Sequence, residues 1–189
     1  MIESKWTFET SAGGSAGVGP VTLSNGMFVL NDPSKRPFKF DYQVGGFALG
    51  PGLRLPSRFQ LPELKLPRFI SKDGTLAGTG ATSDFDGGGK IFRFTQKELE
   101  PSDFVGLTLS FDFGGGVLVA GGMTCYLAAL HQLMVMAWLF NPGVFANALF
   151  RSAKALVVTW GVSEGLVDGI NATPMIGSIS HPGPYVEQP

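Results

Sequence analysis

Charge is what this sequence has least of. Residues 113–150 contain no Asp, Glu, Lys or Arg. Over the whole chain charged residues make up 15%, well under the ~25% usual in soluble domains. With hydrophobic residues at 44% there is ample apolar surface to bury, which excludes disorder as the main description. It also leaves part of the surface neutral or apolar, the condition under which chains oligomerise or meet a membrane. Cysteine is nearly absent: Cys125 stands alone, so no intramolecular disulfide and no cysteine-based metal site can form. The two histidines, His131 and His181, lie far apart in sequence, so neither a metal nor a cofactor is expected. A net charge of −1 gives no reason to expect nucleic acid as a partner, since such domains are usually clearly basic. The N-terminal MIESKWTFETSAGG has no apolar h-region, so a secretory signal peptide is not expected. The expected location is the cytoplasm, or outside the cell by a signal-independent route.

Glycine, by contrast, is plentiful, with 27 residues beside 13 prolines. That density predicts the turns and bulges of a β-rich protein. Two stretches alternate strictly between apolar and polar residues. In 38–44 Phe38, Phe40, Tyr42 and Val44 share one face, with Lys39, Asp41 and Gln43 on the other. In 105–113 Leu107, Leu109, Phe111 and Phe113 oppose Thr108, Ser110 and Asp112. Both predict strands. Further strands are expected at 6–10, 21–23, 27–30, 91–94, 117–120 and 174–180. Asn25-Gly26 between apolar runs predicts a hairpin turn, and the preceding SAGGSAGVGP reads as a flexible connection. Asn31-Asp32-Pro33-Ser34 predicts a turn. Gly114-Gly115-Gly116 is expected to break a strand, 95–100 to form one helical turn, and residues from 181 on to be irregular.

Two segments stand out for function. Residues 51–70 contain four prolines interleaved with basic residues, among them Arg54, Arg58, Lys65 and Arg68. Proline at that spacing forbids a long helix or a central strand and predicts an extended surface path. From 35 to 72 eight basic residues face two acidic ones, an excess that suits either a protected sheet edge or anionic phosphate groups. The second segment is the charge-free one. Glycine vanishes over 126–140, where Leu, Ala, Met and Trp predict a helix ended by Asn141-Pro142-Gly143. A second helix is expected over 144–158, with 157–162 open to a strand reading because Val-Val-Thr-Trp favours β. A first helix of 126–140 spans about 22 Å, short of the ~30 Å hydrocarbon core. His131 is expected to be buried on this apolar helix, and Cys125 to be an inert buried thiol.

No H-E-x-x-H and no Walker sequence is present, and Asp84-Phe85-Asp86-Gly87 lacks the closing ligands of a calcium loop. The fold expected is therefore mainly β (α+β). It is a curved antiparallel sheet, barrel-like or sandwich, with an apolar helical hairpin near 126–158. The whole forms one domain of 1–189, divided into a β-rich part (1–122), the hairpin (123–158) and a C-terminal strand and tail (159–189). The function expected is non-enzymatic engagement of an anionic membrane surface or a protein partner, in the manner of a secreted bacterial effector. The binding residues expected are Arg54, Arg58, Lys65 and Arg68 with Leu130, His131, Trp138 and Phe145. Two alternatives stand beside it: a homo-oligomeric assembly subunit with the hairpin as interface, and an enzyme or apolar-ligand carrier with a pocket near His131.

Overall fold

The computed structural model describes residues 1–18, 21–47, 88–116, 120–163 and 167–184. These form nine strands and two α-helices. The strands are β1 (Ile2–Glu3), β2 (Thr7–Val18), β3 (Val21–Asn31), β4 (Pro37–Phe47), β5 (Gly88–Arg93), β6 (Gly106–Gly116), β7 (Ala120–Ala128), β8 (Ala155–Ser163) and β9 (Val167–Pro184). The helices are α1 (Gln132–Phe140) and α2 (Pro142–Ser152), preceded by a short 3-10 turn, Pro101–Asp103. The protein is mainly β, and all nine strands belong to one curved antiparallel sheet in the order β1-β5-β8-β7-β6-β9-β4-β3-β2.

The C-terminal strand is not an appendage. β9 pairs with β4 on one side and β6 on the other, joining the N-terminal meander of β2, β3 and β4 to the rest. The sheet curls until β2 comes alongside β5, and the Phe8 side chain rests on Gly89. A Cβ added at Gly89 would lie 2.5 Å from the Phe8 ring, so only glycine lets the two flanks approach this closely. The register supplies the stagger that such curling needs. Phe8 lies opposite Leu30, and Leu30 opposite Phe38. Gly89 leads through Thr159, Thr124 and Asp112 to Thr173, past the end of β4.

Both faces of the sheet are covered over much of its area. Inside the curl Phe28, Phe40, Tyr42, Tyr126, Met175 and Ile179 pack together, and Trp6, Leu99 and Phe104 close one end. Trp6 Nε1 donates to the Leu99 carbonyl at 2.8 Å, and its ring meets Phe104 edge-on at 4.9 Å. On the outer face Leu109, Phe111, Leu127, Leu156 and Val158 lie beneath the two helices. In β6 the polar side of the alternation is thus as buried as the apolar side: Thr108 and Ser110 sit on the inner face with no exposure. Thr108 Oγ1 donates to the Leu127 carbonyl at 2.8 Å, whereas Ser110 Oγ has no hydrogen-bond partner among the described residues.

The closed end is held by two carboxylates. Asp32 Oδ1 accepts from the Ser34 and Arg36 amides at 2.8 and 2.9 Å, and Oδ2 accepts from Arg36 Nε at 2.7 Å. Burial acts to raise the Asp32 carboxyl, but these Arg36 and Ser34 hydrogen bonds, with the Arg36 charge, outweigh it and hold the pKa below the ordinary carboxylate value. Glu98 ties β1's exit to the 95–100 segment by accepting from Ser4 Oγ and the Lys5 and Leu99 amides. Those bonds and nearby Arg93 likewise overcome the desolvation that would raise it, leaving its pKa lowered.

Several local expectations are overturned. Residues 24–26 are not a hairpin turn. β3 runs straight through them, pairing Asn25 with Gly14 and Gln43, and the SAGGSAGV run is strand in β2 rather than a flexible connection. Gly114-Gly115-Gly116 ends no strand early, since β6 continues to Gly116. The 95–100 segment bends at 95–97 and continues without regular structure to 100, and the helical turn falls instead at Pro101–Asp103, where proline occupies the first turn. Residues 181–184 belong to β9. The hairpin is shorter than 126–158: 126–128 and 155–158 are strand, leaving helix over 132–140 and 142–152. Where strand replaces an expected turn, connection, break, tail or helix end, cross-strand pairing overrides local propensity, which is weak for short segments.

Candidate functional site

The helical hairpin sits between β7 and β8. Ala129, with φ of 53°, turns the chain out of β7 into the left-handed region, where only a local reversal places a non-glycine residue. The Leu130 amide then donates to the Leu107 carbonyl at 2.8 Å, and α1 starts with His131 at its N-cap. A single residue, Asn141, separates the helices. Its Oδ1 accepts from the Val144 amide at 3.3 Å, satisfying one orphan donor of α2. After α2 the Lys154 amide donates to the Ala128 carbonyl at 3.1 Å, and Lys154 Nζ pairs with Asp103 Oδ1 at 2.9 Å. The hairpin is therefore pinned to the sheet at its base and free at its tip.

Its two faces are both apolar. Val135 and Trp138 of α1, with Ala146 and Leu149 of α2, are buried against the outer face of the sheet. The opposite side presents Leu133, Met136, Leu139, Phe140 and Val144, each between 52% and 90% exposed, with Phe140 the most exposed. Exposed polar neighbours on the hairpin are His131, Gln132, Asn141, Asn147 and Arg151, and none is acidic. A surface helix ordinarily turns polar residues to solvent. This one exposes a contiguous ridge of large apolar side chains centred on the tip. At 9 residues α1 is far shorter than a bilayer, and no described helix is long and apolar enough to cross a membrane.

The expected site residues separate. Leu130 and Trp138 are buried in the hairpin-side core, and Phe145 is partly buried against it. His131 is exposed at the helix start, not buried as its apolar surroundings suggested, because α1 begins only after it. Cys125 is buried beneath the hairpin. Arg54, Arg58, Lys65 and Arg68 lie outside the described residues. The ridge residues Leu133, Met136, Leu139, Phe140 and Val144 were not singled out. Their signal was present as the near absence of polar residues from α1, but composition alone does not say which side of such a helix faces out. Gly13-Gly14-Ser15-Ala16-Gly17 formally matches G-x-S-x-G, yet it lies inside β2 with no helix following, so it is not the strand-turn-helix elbow that exposes a nucleophile. No group of three metal-ligating side chains occurs among the described residues.

Fold and site together define a small, curled antiparallel β protein that displays an apolar helical hairpin. No family model and no solved structure matches the chain. Among curated proteins it is similar to the toxin protein Tse4 of Pseudomonas aeruginosa, with 26% identity over 191 residues that cover 95% of each chain.

Proposed function

We propose that this chain is a secreted bacterial toxin that acts on membranes, with the exposed ridge of the hairpin as its lipid-contacting element. The observation that carries the reading is the exposure of Leu133, Met136, Leu139, Phe140 and Val144 on one acid-free surface. Fully burying a side chain of this kind is worth about 1.5–3 kcal/mol. At the observed exposures the five together offer about 5–10 kcal/mol, enough for reversible attachment to a bilayer surface. Arg54, Arg58, Lys65 and Arg68 would add about 1 kcal/mol each near an anionic leaflet. The similarity to a protein named as a toxin over nearly its whole length supports an offensive role.

The toxic outcome proposed is permeabilisation. The test is co-sedimentation with anionic and neutral vesicles, with dye release from the same vesicles and a size-exclusion mass of the same sample. Binding to anionic vesicles that weakens with salt, accompanied by release, is the expected result. A defined oligomer that neither sediments nor releases dye refutes the membrane reading and favours a subunit whose hairpin is its interface.

A further inference from the structure

Away from the hairpin, the outer face of β2, β3, β4 and β9 forms an open cavity of about 730 Å³. The register places Asn25, Gln43 and Ser178 in one cross-strand row and Met27, Asp41 and Ser180 in the next row on the same face. Ala12, Gly13 and Gly26 complete a flat floor. Gly13 and Gly26 are register partners whose Cβ positions would fall on the inner face, where the Tyr42 hydroxyl lies within 2.7 Å of each, so between the two rows the floor is bare backbone. Asn and Gly are depleted in strands, and their place at the middle of β3 is what made 24–26 read as a turn. Residues that oppose their own secondary structure mark sites kept for another purpose. Here they lie at the centre of the cavity.

The lining selects a ligand class. Asn25, Gln43 and Ser178 have no side-chain hydrogen-bond partner among the described residues. Their amide and hydroxyl groups offer both donors and acceptors in one plane. Among the described lining residues only Asp41 is charged, and Lys39 Nζ pairs with it at 3.1 Å, so the described lining is close to neutral. It offers little to a phosphate and too many polar groups to an apolar molecule. Its volume falls within the ~300–1,000 Å³ range of small-molecule sites. We propose that this cavity binds a neutral oligosaccharide, its vicinal hydroxyls bridging the Asn25 and Gln43 amides and the Asp41 carboxylate while a sugar ring lies over the Gly-Ala floor and Met27.

The test is saturation-transfer NMR on the full chain with maltotriose, cellotriose and chitotriose, followed by titration of any that respond. At least one should bind saturably at about millimolar Kd or tighter. Gln43→Ala and Asn25→Ala should each weaken it about tenfold with unchanged circular dichroism and thermal midpoint. Ser178→Ala, an exposed change of minimal volume, serves as the second variant should Asn25→Ala disturb β3, and should weaken binding as well. Absence of saturable binding by all three sugars up to about 10 mM overturns the proposal, as does binding that these variants leave unaltered. Vesicle attachment of the same variants should be unaffected, so failure here and failure of the membrane reading are separate results.

Discussion

Phe140→Ser tests the ridge most directly. Phe140 closes α1 at 90% exposure, so its replacement removes almost no packing within the protein, and surface changes of this kind usually fall within about 0.5 kcal/mol of stability. What it removes is the side chain available to lipid. Burying most of a phenylalanine is worth about 2 kcal/mol, and at 1.4 kcal/mol per decade the vesicle partition coefficient should fall about 30-fold. Adding Leu133→Ser, two-thirds exposed on the same face, should bring the loss to about 100-fold or more. Co-sedimentation at fixed lipid, with thermal unfolding alongside, reads both quantities. Trp138→Ala is the contrasting variant. It empties a buried position in the core beneath the hairpin and should cost about 3–5 kcal/mol of stability. Unchanged vesicle binding by the folded Phe140→Ser/Leu133→Ser double variant would refute the assignment of the ridge as the contact surface.

Other consequences concern the scaffold. Gly177 of β9 lies so close to β4 that an added Cβ would fall 1.8 Å from the Gln43 carbonyl oxygen and 2.6 Å from Val44 Cα. Since both are backbone atoms that cannot turn aside, Gly177→Ala should destabilise by about 3 kcal/mol or more, seen as a lower urea midpoint or loss of soluble protein. Asp32 and Glu98 have lowered pKa values in the fold. Their stabilising effect is complete above the ordinary carboxylate pKa of about 4 and is lost as pH falls through the lower folded values. The urea midpoint should therefore drop between pH 5 and pH 2, expected here as a range of about that width, and Asp32→Asn should flatten that dependence. Asn141→Ala removes the side chain that caps α2 and should lower the thermal midpoint by an amount equal to about 1 kcal/mol, with the vesicle partition reduced only as far as the hairpin tip loosens.

What the sequence made legible follows from how many neighbours decide each element. β4 and β6 were readable because their alternation is written in their own residues, and Phe40, Tyr42, Leu109 and Phe111 are buried on the faces that the pattern separates. The strand at 126–128 was not, because Tyr126 packs inside the curl while Cys125 and Leu127 pack beneath the hairpin. Two covered faces erase the alternation and leave a continuous apolar run that resembles a buried helix. The strand character of Ser24-Asn25-Gly26 and of the SAGGSAGV run comes from pairing partners distant in sequence, which a local reading of turn propensity cannot contain. The ridge shows the same limit in another form. α1 is apolar around nearly its whole circumference, so Trp138 and Phe140, two residues apart, are equal candidates by composition. Only the placement of the hairpin over Leu109, Leu127 and Leu156 buries Trp138 and leaves Phe140 outside. A helix that is apolar all round and covered on one side has its uncovered side chosen by tertiary structure. For that reason the substitutions that discriminate lipid contact from core packing must be taken from the exposure of the folded chain, with Phe140 and Leu133 on one side of α1 and Trp138 on the other.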